Sequence, residues 1–162
     1  MTSQAQPKGA GTSDDGTASV TIVAPLQVIK DQDIDFGVIA PNVTASSTVQ
    51  TYSQEDFSSH CGDELVCILP GNRAIFKVIG EPERYIKVSN PGSIMIYNET
   101  GDTMRVDSFS GAGSTNDLNW GGVNTIGSDG FTDINIGAKL HVNPQQMPGT
   151  YIGDFTLTFE YE

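Results

Sequence analysis

The stretch that most constrains the fold is the last fifteen residues, 148–162. From residue 151 onward, one phase of a two-residue alternation reads Tyr151, Gly153, Phe155, Leu157, Phe159 and Tyr161. The other phase starts at Ile152 and is then polar: Asp154, Thr156, Thr158, Glu160 and Glu162. Successive side chains of a strand point to opposite faces, so this segment has one apolar face and one wet face. Pro148-Gly149 supplies the turn that launches it. Most chain termini fray, so a chain that finishes inside its clearest strand is expected to use that strand structurally. Phe155, Leu157, Phe159 and Tyr161 are accordingly expected to form core or to line a groove.

The remainder repeats the same kind of signal. Ala74 to Gly80, Tyr85 to Ser89, Ile94 to Tyr97, Met104 to Phe109 and Ile134 to Val142 each read as a strand, with Gly- and Pro-rich turns between them. Ile34, Phe36 and Val38 alternate inward earlier in the chain, and residues 43–57 read as a strand with a loop. No window of eleven or more residues holds a 3.6-residue period. With 162 residues and this punctuation, the chain is expected to be one all-β domain, an immunoglobulin-like β-sandwich.

Three regions differ in character. Residues 1–17 are Gly, Ser, Thr, Asp and Ala with almost nothing apolar, and they read as a flexible polar tail. Residues 18–24 alternate, with Ala18, Val20, Ile22 and Ala24 in one phase, before Pro25 interrupts any ladder. Residues 25–162 carry the sandwich. An open sheet edge over an apolar floor invites strand addition, and Val20 and Ile22 carry the groups that a donor strand would insert. A second extended run follows at Leu26 to Ile29. Two readings stand: residues 18–24 are a donor strand for a neighbouring copy, or residues 18–29 are this subunit's own first strand.

Cys61 and Cys67 flank Gly62-Asp63. Flanking a tight turn, they suit a disulfide across a hairpin, with Cβ atoms about 4 Å apart, and so an oxidising compartment. A buried pair of free thiols is the alternative; the spacing does not fit a zinc pair. No signal-peptide pattern follows Met1, and the cysteines favour a chain whose leader has been removed. Acidic residues number 20 against 8 basic ones, a net charge of −12. Such a balance argues against nucleic acid and anionic membrane surfaces as partners. No apolar run approaches the ~20 residues of a bilayer-spanning helix, so no membrane insertion is expected.

Catalytic and cofactor readings find little support. His141 falls on the polar phase of its strand, and His60 adjoins Cys61, an arrangement ill suited to a catalytic dyad. Residues 111–116 share only glycines with a phosphate-binding loop. Asp31, Asp33 and Asp35 alternate as in a calcium loop, but Phe36 and Asn42 stand where an EF-hand needs Gly and Glu. A wet strand face or a weak surface calcium site are the options there. Asn42-Val43-Thr44 and Asn98-Glu99-Thr100 have the form of glycosylation sequons, and Trp120 either packs or stacks on a sugar. No catalytic residue, cofactor or metal site is assigned, and the chain is not expected to be an enzyme.

Four segments carry a resemblance. They are Ile34-Asp35-Phe36-Gly37, Ala74-Ile75-Phe76-Lys77-Val78-Ile79-Gly80-Glu81-Pro82, Ile136-Gly137-Ala138-Lys139-Leu140-His141-Val142 and residues 149–161. In this order they resemble small secreted bacterial pilin-type domains, the spore-coat-protein-U-like subunits of archaic chaperone–usher pili among them, over about residues 18–162. The resemblance implies an incomplete immunoglobulin-like fold whose groove is filled by the N-terminal extension of a neighbour. It implies an extracellular cell-surface filament of identical subunits, assembled by donor-strand exchange and serving adhesion or biofilm formation. A periplasmic chaperone and an outer-membrane usher come with it as assembly partners. The cysteines depart from the family pattern, lying at 61 and 67 instead of joining early strands. The alternative function is a monomeric secreted binding module, an adhesin or carbohydrate-binding sandwich using the loop around Trp120.

Overall fold

In the computed structural model, which describes residues 11–54, 59–113 and 118–162, every regular element is a strand. In chain order these are β1 (Gln27–Gln32), β2 (Val38–Ala40), β3 (Ser47–Thr51), β4 (Ser59–Cys61), β5 (Val66–Leu69), β6 (Ala74–Ile79), β7 (Tyr85–Val88), β8 (Ile94–Tyr97), β9 (Thr103–Ala112), β10 (Val123–Thr125), β11 (Phe131–Val142) and β12 (Phe159–Tyr161). The longest, β11, is also the most buried. Thr132, Ile134, Ile136, Ala138, Leu140 and Val142 all face the interior, as its period of two requires.

One edge of β11 pairs with β6 over Phe131 to Ile136 and then with β3 over Lys139 to Val142; the other edge pairs with β9. The change of partner falls at Gly137, where a side chain would strike the backbone of Thr51 to Ser53. Adding β1 outside β6, β4 outside β3 and β8 outside β9 completes a seven-stranded antiparallel sheet. The opposing sheet is β10–β7–β12, whose Ile86 and Val88 are fully buried. Together with Ile126, Val78, Ile134 and Ile136 they form a single core between the two layers. The architecture is an immunoglobulin-like β-sandwich, with a small third ribbon of β2 and β5.

Some local expectations need correction. Residues 18–24 pair with no strand among the described residues, so this subunit's own first strand is β1, which begins at Gln27 and takes in only the end of the 18–29 run. The C-terminal strand is regular only at β12, with an isolated bridge between Ile152 and Tyr97. Its alternation survives nonetheless: Phe155, Leu157, Phe159 and Tyr161 are half-buried while residues 154, 156, 158, 160 and 162 are exposed. The region 110–130 is less of a loop than its composition suggests, since β9 runs on to Ala112 and β10 follows. Trp120 bridges Val88 and packs on the core. Residues 114–116 of the glycine-rich segment and residues 55–57 of the 43–57 segment lie outside the described residues, as do residues 1–10 of the tail.

Cys61 and Cys67 are joined, with Cα atoms 6.2 Å apart. The bond does not cross a hairpin, because β4 pairs with β3 and β5 pairs with β2. It instead staples the edge of the large sheet to the small ribbon, across a turn closed by the Leu65 amide donating to the Gly62 carbonyl at 3.0 Å. Replacing both cysteines by serine is expected to lower stability by about 2 kcal/mol, the chain-entropy value for so short a loop. Denaturant midpoints measure that loss. Alkylation of the unfolded, unreduced wild type should add no mass.

Candidate strand-acceptor groove

In the β1–β6 ladder Val28 lies opposite Val78, and Lys30 lies opposite Phe76. Residues directly opposite in an antiparallel pair share a face of the sheet. Val78 is 0% exposed, so Val28 also faces the interior, yet Val28 is 42% exposed. Among the described residues none covers this inward-facing valine, and it is open to solvent. Across from it runs the C-terminal segment, tied on one side only. Ile152 bridges to Tyr97, the Ser89 amide donates to the Thr158 carbonyl at 3.0 Å, and β12 pairs with β7. Among the described residues, no strand pairs with the other edge of β12.

The result is a cleft of about 480 Å³ between the two sheets, lined by Leu26, Val28, Phe76, Phe155, Leu157 and Phe159, with Thr156 and Thr158 at its rim. Its floor is aromatic: the Phe155 ring stands edge-on to Phe76 at 6.2 Å and tilted against Phe109 at 5.2 Å. At one end Lys30 pairs with Asp33 at 2.8 Å. The hydrogen bond and charge of Asp33 raise the Lys30 pKa, with a smaller contribution from Asp154 across the cleft.

At the other end the Tyr161 hydroxyl accepts from the Glu81 amide and donates to the Ala24 carbonyl, both at 2.7 Å. The Ala24 amide in turn donates to the Glu81 carboxylate at 2.9 Å. Ala24 is therefore held by its own subunit, and the candidate donor shortens to residues 18–22. The chain before it stands away from the sandwich, with Val20 82% and Ile22 87% exposed. Phe36 packs against the core but does not line the cleft.

The other sequence candidates lie elsewhere. His141 sits on the outward phase of β11, 2.7 Å from Asp107, which Arg105 also approaches at 3.3 Å. Burial pushes the Asp107 carboxyl up, but hydrogen bonds from His141 and Ser108 and the charges of His141 and Arg105 hold it below its ordinary value. His60 is exposed on β4 opposite Gln50. Asp33 pairs with Lys30, and Asp35 caps a turn by accepting from the Gly37 amide. Among the described residues no three His, Cys, Asp or Glu side chains are grouped to hold a metal ion. Asn42 and Asn98 each accept from the backbone and hydroxyl of the threonine two residues on, so both sequons form side-chain-closed turns.

Sequence reasoning missed Leu26, Val28 and Phe76 as groove lining, since an inward phase does not say whether the space it faces is filled. It also missed the hydroxyl role of Tyr161. A tyrosine in place of phenylalanine on an inward phase is the available signal, because a half-buried hydroxyl needs partners. Tyr161→Phe removes two hydrogen bonds and leaves the Glu81 amide unsatisfied, so it is expected to cost about 1–3 kcal/mol. Urea denaturation checks the cost. Faster amide exchange around residues 24–26 would report the released anchor.

Residues 26–161 match a family model described as a domain of unknown function, DUF4402, and searches of curated proteins and of solved structures find no match. The matched span starts two residues after the Ala24 anchor and ends at the tyrosine that holds it, so it encloses the cleft and leaves the exposed segment outside. This chain belongs to the DUF4402 family.

Proposed function

We propose that the protein is the structural subunit of an extracellular bacterial filament, polymerising by donor-strand exchange and supporting adhesion or biofilm formation. The observation that carries this reading is the pairing of an unfilled apolar cleft with an unburied apolar segment in one chain. Val28 faces inward yet is open, while Val20 and Ile22 stand almost fully exposed on a segment that pairs with no strand among the described residues. Each valine or isoleucine fully buried in such a cleft contributes about 1.5–3 kcal/mol. Ladder bonds to the free edge of β12 add to that. The donor is residues 18–22, with Val20 and Ile22 inserted and Ala18 small enough to pass between them.

Intramolecular filling is disfavoured by the anchor. Ala24 is pinned at the end of its own cleft, and residues 11–22 leave it facing solvent. The pilin-type resemblance supports the same assignment, as do the disulfide and the acidic charge that keeps free copies apart. A periplasmic chaperone would guard the cleft before assembly and an outer-membrane usher would present it to the next copy. Trp120, on which the monomeric binding-module reading rests, is partly buried against the core, which favours the filament reading over it.

Ile22→Asp is the direct test. It would place a carboxylate in the apolar cleft, at a cost of several kcal/mol per contact. Filament yield by negative-stain microscopy should fall to background. The purified subunit should keep its denaturation midpoint, because Ile22 is exposed within its own subunit. Removing residues 1–17 should leave polymerisation largely intact. Normal filament yield from Ile22→Asp would sink the donor assignment.

A further inference from the structure

We infer that the β2–β5 ribbon is the surface on which the body of the neighbouring copy docks, an inference that rests on the donor-strand reading above. The ribbon is apolar and open. All four residues of β5 are exposed, Ile68 at 62%, and Val38 of β2 is exposed beside Leu69. Val66, Ile68 and Leu69 are each more than half exposed, and contiguous apolar surface of this kind marks an interaction site.

Its position assigns the occupant. The pairing of β1 with β6 continues beyond Gln32 through the Asp35–Asn72 bridge, whose two hydrogen bonds measure 2.9 and 2.7 Å, into the pairing of β2 with β5. The ribbon thus stands beyond the Lys30 end of the cleft, and Ala24 stands at the opposite end. The C-terminal segment runs from the Lys30 end, where Phe155 packs on the Phe76 that pairs with Lys30, to the Ala24 end, where Tyr161 holds the Ala24 carbonyl. Every ladder between named strands in this protein is antiparallel, so a donor laid along that segment runs the other way. Ile22 of the donor then leaves the cleft at the Lys30 end.

From Ile22 to the anchored Ala24 is two residues, a reach of at most about 7 Å. The donor's own body must therefore abut the acceptor where β2 and β5 stand. The face it brings is the surround of Ala24, with Pro25, Pro82 and Tyr85 exposed. An apolar contact needs no charge matching between two acidic copies. Because the two faces lie at opposite ends of the subunit, the contact is head-to-tail and extends a fibre instead of closing a ring.

Photo-crosslinking of assembled full-length protein tests the contact. One preparation carries p-benzoylphenylalanine in place of Ile68 and a second carries it in place of Val20, with adducts mapped by mass spectrometry. The Ile68 probe is expected to join a second copy near Pro25, Pro82 or Tyr85, and the Val20 probe to join a second copy within residues 155–159. A Val20 adduct in the cleft, with the Ile68 probe joined elsewhere or to nothing, overturns the ribbon contact and leaves the donor reading standing. Absence of any intermolecular Val20 adduct overturns the donor reading, and the ribbon contact falls with it.

Discussion

Burial of one face of β11 is the constraint on which the rest of the structure depends. Its inward side chains reach the core from Thr132 to Val142, and its two edges organise β6, β3 and β9. Each fully buried aliphatic side chain on that face contributes about 1.5–3 kcal/mol, more than a typical backbone hydrogen bond adds net. Fixing β6 to β11 fixes β1 outside it, and among the described residues β1 has only β6 for a neighbour. The cleft follows from that arrangement: β1 and the C-terminal segment face each other from different sheets with no strand between them.

The Tyr161 hydroxyl joins the two ends of the sandwich at one point. It holds the carbonyl of Ala24 and the amide of Glu81 at once, so the last strand positions the place where the N-terminal segment departs. Residues after that point are paid for by packing. Residues 11–22 before it are exposed, and ordering them against a partner would cost roughly 1–2 kcal/mol of backbone freedom per residue. A segment that gives up this freedom on insertion needs apolar burial in return, and Val20 and Ile22 offer it.

The disulfide takes on a different meaning in three dimensions. By joining β4 to β5 it fixes the β2–β5 ribbon against the large sheet, although that ribbon has little core of its own. The polar faces behave as ordinary solvated surface. Even the Asp107–His141 pair lies on the outward phase of its strands, where hydrogen bonds offset the cost of partial burial.

Periodicity by itself determined the fold class, the strands from β6 to β9 and β11, and the inward phase of Phe155, Leu157, Phe159 and Tyr161, while the spacing of Cys61 and Cys67 pointed to a bond that the structure contains. These are local properties: an alternation of two states which side chains share a face, and a short turn brings two cysteines together. Tertiary structure alone decided that Val28 faces a gap, that Ala24 belongs to its own subunit, and that β4 and β5 sit in different sheets. Those facts depend on which strands lie beside which, and the sequence separation between partners such as Ala24 and Tyr161 leaves no local trace. An alternating strand looks the same in sequence whether the space on its apolar side is filled by its own chain or left open for another.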